Sequence, residues 1–166
     1  MRCPHLTTSG KRCKKTISPG FSGCDKHKDE KTLYDDLGGI FAISLVVDHF
    51  SDALLKNSLV GRDSKNPHLK DWSRNHLDRL PGLKFMRTLW LASIAGGPYE
   101  FCSTKPGPAQ FNLENPHAKF HITSEEFDAV AKELASSLDH FKIAKNIKDR
   151  VLEVFAEHKL EVISPK

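Results

Sequence analysis

Four residues near the amino terminus have the types and the spacing to hold a metal. Cys3, Cys13, Cys24 and His27 follow the pattern Cys-x9-Cys-x10-Cys-x2-His. Three thiolates and one imidazole suit tetrahedral Zn²⁺, and the flanking lysines and arginines favour the thiolate form. Cys24 and His27 fall close together on one turn, and Gly10, Gly20 and Gly23 lie where the chain must bend. His5 competes for a ligand place. The other readings are a basic tail with free thiols, or a disulfide. Three cysteines leave one unpaired, and nothing in the sequence suggests export. A second position is His117. Six further histidines, His49, His68, His76, His121, His140 and His158, are scattered along the same body, and a lone histidine on a helix is ordinarily a surface or core residue. His117 instead follows a long aperiodic stretch and precedes a capped helix. It can project into a space between helices, as an axial ligand to a metal or haem does. His121 is its rival. No glycine-rich nucleotide loop, Ser/His/Asp set or paired carboxylates stands out.

The elements that would position these residues divide the chain in two. Residues 1–31 hold eight basic and three acidic side chains, so this head is +5, whereas the whole 166-residue protein is +4. The body, 32–166, is therefore −1. Leu6, Ile17 and Phe21 are the head's only large apolar residues, and a piece below roughly 40 residues needs a metal or disulfides to fold. Its charge fits nucleic acid or an acidic protein surface, or serves only solubility. The 39% hydrophobic and 28% charged content is that of a globular protein. No run approaches the roughly 18 apolar residues of a membrane span. The segment Met1-Arg2-Cys3-Pro4-His5 lacks the apolar core of a secretory signal. With an unpaired Cys102, this points to a reducing cytoplasm and no membrane partner.

The body reads as all-α. Ile43, Val46, Val47, Phe50 and Leu54 form one face of a helix over 40–56, after a short turn over 33–37 and the break Gly38-Gly39. A helix over 66–80 is predicted with Leu69, Trp72 and Leu77 inward. Another over 83–95 carries Leu83, Met86, Trp90 and Ile94, between Pro81-Gly82 and Gly96-Gly97-Pro98. Thr123 with Glu126 is a capping box, opening a helix with Phe127, Val130, Ala131, Leu134, Leu138 and Phe141 inward. A last helix starts near 144 with Ile147, Val151, Val154 and Phe155 inward. Residues 99–116 show no period, and loops of that length tend to be functional.

Two resemblances follow from these motifs. Cys3, Thr7, Gly10, Cys13, Gly20, Cys24 and His27 resemble a short zinc-binding module. The body resembles a truncated haemoglobin, most like group I. The matches, in order, are Leu33-Tyr34-Asp35-Asp36-Leu37-Gly38-Gly39, then Ala42-Ile43 with Val46-Val47-Asp48-His49-Phe50, then Gly96-Gly97-Pro98-Tyr99, then His117-Ala118-Lys119-Phe120-His121-Ile122-Thr123. The resemblance implies a two-over-two helical sandwich around haem b, with His117 on the iron. Phe50, Ser51, Leu83, Met86, Arg87, Trp90 and Phe120 would line the cofactor, with Leu54, Leu91, Phe127, Val130 and Leu134 completing an apolar slot.

The departures bear on mechanism. Where many group I members place a distal tyrosine, this chain has Ser51, and Arg87 stands where glutamine is frequent. Leu83 falls nearest the usual distal-histidine place. Residues 56–82 contain no phenylalanine to stack on haem, and His76 or Met86 is a candidate sixth ligand. The resemblance implies binding of a diatomic ligand, O₂ or NO. That would serve gas sensing, reversible binding, or dioxygenation of NO to nitrate with electrons from a reductase. The competing reading is a haem-free globin-like body whose zinc head is an interaction or nucleic-acid-binding module.

Overall fold

The computed structural model describes Lys14, residues 31–99 and residues 117–163. The expected zinc ligands Cys3, Cys13, Cys24 and His27, their competitor His5, and Cys102 lie outside the described residues. Among the described residues every regular element is helical, as the hydrophobic periods predict. None of these helices is long and apolar enough to cross a membrane.

Helix α1 (Leu33–Asp36) opens on a capping box that the sequence reading did not single out. Thr32 Oγ1 accepts from the Asp35 N–H at 3.1 Å, and the Asp35 carboxylate accepts from the Thr32 N–H at 2.9 Å. Two otherwise unpaired donors are satisfied at once. Helix α2 (Gly39–Lys56) buries the predicted face, Ile43, Val46, Val47, Phe50 and Leu54, together with Ser51 and Leu55. Helix α3 (Pro67–Asn75) starts under Asn66, whose side chain accepts from the N–H groups of His68 and Leu69.

The predicted single helix over 66–80 is divided. The α-helical path breaks at His76, a 3-10 turn covers Leu77–Arg79, and α4 (Leu80–Ile94) begins before Pro81 rather than after Gly82. Proline lacks an N–H that the first helical turn does not use, so Pro81 starts the helix instead of separating two. In α3 only Ser73 is fully buried; of the residues expected inward, Leu69 packs against the core, while Trp72 and Leu77 are half-buried. In α4 the buried face is Thr88, Leu91 and Ala92, one step round from the predicted stripe.

Helix α5 (Ser124–His140) carries the predicted capping box, with Thr123 and Glu126 bonded to each other's N–H groups at 2.8 and 3.2 Å. It ends one residue before Phe141. That side chain is exposed rather than inward and lies edge-on to His49 and His140. Helix α6 (Lys145–Glu157) buries Val151 and Val154, and the short α7 (Lys159–Val162) follows. Helix α2 packs on α4 and α5, α5 packs on α6, and α1 touches α2 and α6. The α2/α4 pair thus lies over the α5/α6 pair. Ile43, Val47, Leu138 and Val151 are fully buried between them.

Tyr34 fixes how the pairs close. Its N–H donates to the Ala95 carbonyl at 2.9 Å, and its hydroxyl accepts from the Ile40 N–H at 3.0 Å. Its ring lies edge-on to Tyr99. The ring meets both glycine pairs: a Cβ at Gly39 would touch the Tyr34 hydroxyl at 3.4 Å. One at Gly97 would sit 2.7 Å from the ring and 2.8 Å from the Ala92 carbonyl oxygen. Gly38, Gly39 and Gly96 also have φ of 87°, 79° and 88°, which an L side chain resists. Gly82 in α4 has open space around it. We therefore expect opposite signs in urea denaturation. Gly97→Ala should lose about 2 kcal/mol through overpacking. Gly82→Ala should gain about 0.5–1 kcal/mol, because the helix interior favours alanine. Equal effects would contradict this packing.

Candidate functional site

The α2/α4 crossing brings three of the expected residues together. Ser51 is buried, and its Oγ accepts from Arg87 Nη1 at 3.0 Å. The Arg87 guanidinium also stands over the Phe50 ring, 5.6 Å from its centroid, a favourable placement for a cation. Phe50 itself is buried beneath it. No carboxylate among the described residues pairs with Arg87. Burial alone pushes its pKa down, to about 10, so the group stays charged at neutral pH at a cost in solvation.

The nearest acids of α2 are taken by another residue, Lys84, which sequence reasoning did not single out. Lys84 Nζ lies 2.7 Å from both Asp48 and Asp52. Burial works against its charge, and the hydrogen bonds to the two carboxylates outweigh it, leaving its pKa above the ordinary lysine value. This clamp holds the first turns of α4 to the outer edge of α2 and leaves Arg87, one turn further on, without an anion.

The most informative feature is apolar. Between Val60 and Leu91 no hydrophobic residue is buried. Yet that stretch contains nine large apolar side chains: Leu69, Trp72, Leu77, Leu80, Leu83, Phe85, Met86, Leu89 and Trp90. Most are half-buried, and Phe85 and Met86 are exposed. A helical segment of this composition normally hides a stripe in the protein core. Here, among the described residues, only Leu69 and Trp90 of the nine pack against the core. Trp90 rests against Phe155 and His158, with Phe155 stacked on Phe127. Of the slot predicted from sequence, Leu54, Leu91, Phe127 and Leu134 are buried core residues, whereas Leu83, Met86, Trp90, Phe120 and Val130 retain exposed surface.

His117 is half-buried in a short helical turn, where its carbonyl accepts from the Phe120 N–H at 2.9 Å. Asn66 ties this turn to the start of α3 by donating to the Phe120 carbonyl at 2.9 Å. The rival His121 is exposed, with its ring 5.5 Å from that of His68. His76, a candidate sixth ligand, lies 3.3 Å from Asp71, and the other candidate, Met86, is solvent-exposed. Among the described residues no group of three or more His, Cys, Asp or Glu side chains is placed to hold a metal ion.

Comparison with known proteins agrees with this architecture. A family described as bacterial-like globin matches residues 32–164. No curated protein matches the chain. Among solved structures, the fold is similar to that of the truncated haemoglobin of Tetrahymena pyriformis in its Fe(III) form. A mutant of it gives TM-score 0.64 and 19% identity, covering 81% of this chain and 100% of that one. The 2/2 haemoglobin of Synechococcus sp. PCC 7002, solved in the cyanomet state with covalently attached haem, gives 0.64 and 22%, covering 80% and 98%. The group II truncated haemoglobin of Bacillus anthracis gives 0.64 and 21%, covering 84% and 96%.

The Arg87–Ser51 contact has a measurable signature in haem-free protein. Ser51→Ala leaves a half-buried cation without its acceptor and should cost about 1–2 kcal/mol. Adding Arg87→Leu removes the cation too, and the double variant should return to within about 1 kcal/mol of the parent. Additive losses in a double-mutant cycle would show that the two residues do not interact.

Proposed function

Because the chain belongs to the bacterial-like globin family, we propose that residues 32–166 form a haem-binding truncated globin of group I type that takes up O₂ or NO. The observation that carries the reading is the stretch from Val60 to Leu91, where, among the described residues, only Leu69 and Trp90 of nine large apolar side chains pack against the core. Haem b, when bound, supplies an iron that coordinates the gas and exchanges electrons. The chain supplies binding, orientation and local polarity. His117 is assigned as the iron ligand. It follows the motif order seen in the sequence, and its half-buried turn is fastened to α3 through Asn66. Leu83, Met86, Trp90 and Phe120 offer the apolar surface that excludes water, and Ser51 and Arg87, with the Phe50 ring beneath the guanidinium, form the distal side.

Dioxygenation of NO to nitrate needs electrons from outside, so a reductase is the partner that reaction requires. Gas sensing needs none. The head is assigned a structural Zn²⁺ on Cys3, Cys13, Cys24 and His27, on the strength of their spacing. Its +5 charge suits contact with nucleic acid or an acidic protein surface, and its thiols suit the cytoplasm. Neither role is required for haem binding by the body.

Protein reconstituted with haem should show a Soret band, and His117→Ala should lose it or regain it only with added imidazole. A spectrum of free haem from the parent chain would refute the reading. Elemental mass spectrometry of protein purified without chelator should find about one zinc per chain, falling to none in Cys24→Ser.

A further inference from the structure

We propose that Arg87 makes the distal side a receptor for small anions that accept hydrogen bonds, such as fluoride, azide and nitrite. The inference rests on the haem reading and adds a ligand class to it. Arg87 is held in one place by two contacts, Ser51 Oγ at 3.0 Å and the Phe50 ring at 5.6 Å. Neither contact neutralises it. A hydroxyl acceptor uses one N–H of a guanidinium that carries several in a fixed planar fork. The two acids of α2 that flank Ser51 in sequence, Asp48 and Asp52, are bound by Lys84 at 2.7 Å each. Desolvation is the only influence on the protonation of Arg87 among the described residues.

A half-buried cation without an anion is costly, and the cost is recovered when an anion arrives. Ser51 sharpens the effect. It is the smallest side chain that can hold the guanidinium by a hydroxyl. Its oxygen accepts from Arg87, and its O–H is a neutral donor, weaker than the guanidinium. The remaining N–H groups of Arg87 are then the strongest donors that a ligand on the distal side meets. A charged donor prefers a charged acceptor over a neutral one. A neutral ligand such as imidazole gains little from it.

The test is an equilibrium titration of the ferric haem protein with fluoride, azide and imidazole, followed by absorption. Arg87→Leu should weaken fluoride and azide by about ten- to a hundredfold while leaving imidazole nearly unchanged. Arg87→Lys should retain most of the preference for anions. Equal changes for all three ligands, or none, overturn the proposal while leaving haem binding intact. Faster loss of haem in Arg87→Leu with unaltered anion affinity also overturns it, and assigns the guanidinium to a carboxylate of the haem. A parent chain that takes up no haem overturns both this inference and the function it rests on.

Discussion

The arrangement of this protein depends on one side chain wedged between two pairs of glycines. Tyr34 leaves no room for a Cβ at Gly97 and little at Gly39, and its backbone and hydroxyl bond to the end of α4 and the start of α2. These contacts set where α2 and α4 cross. Everything placed by the crossing follows from them: the clamp of Lys84 on Asp48 and Asp52, and one turn on, the meeting of Arg87 with Ser51 and Phe50. A glycine substituted here would not merely strain a turn. It would shift the helix that carries Lys84 and Arg87.

Local patterns were legible in the sequence where physics is local. The capping box at Thr123 and Glu126, the glycine breaks at 38–39 and 96–97, and the buried face of α2 all appear where the residues predict them. Errors arose where a pattern was correct but its boundary was set by something else. Phe141 keeps the helical spacing of α5, yet the helix ends at His140 and Lys142 takes a φ of 55°, so spacing no longer implies burial. Pro81 reads as a separator, although its missing donor makes it equally suited to a first turn. The Lys84 clamp and the Arg87–Ser51 bond join residues 36 apart. No periodicity reports such pairs, and only the family resemblance had placed Ser51 and Arg87 on the same side. The predicted stripe of α3 and α4 is apolar as expected, but among the described residues only Leu69, Trp90 and Ile94 of it pack against the core.

The Arg87 site carries a cost in stability. A chain selected for stability alone would place a leucine where Arg87 stands, or let Asp48 turn inward to pair with it. Instead both acids serve Lys84, and the guanidinium keeps its charge in a partly dehydrated place. Functional sites commonly retain such uncompensated groups, with packing elsewhere bearing the cost. Here the compensating packing is the continuous core of α2, α5 and α6 around Val47, Leu138 and Val151.

The Tyr34 junction also bears on the order in which the protein is made. Its partners Ala95 and Tyr99 emerge from the ribosome well before α5 and α6. The ring contact spans 65 positions of sequence. The first helical pair can therefore close on itself while the second is still being synthesised. For that interval the face of α2 that packs on α5 is uncovered. Apolar surface left open in this way makes a nascent chain prone to aggregate until its later helices arrive.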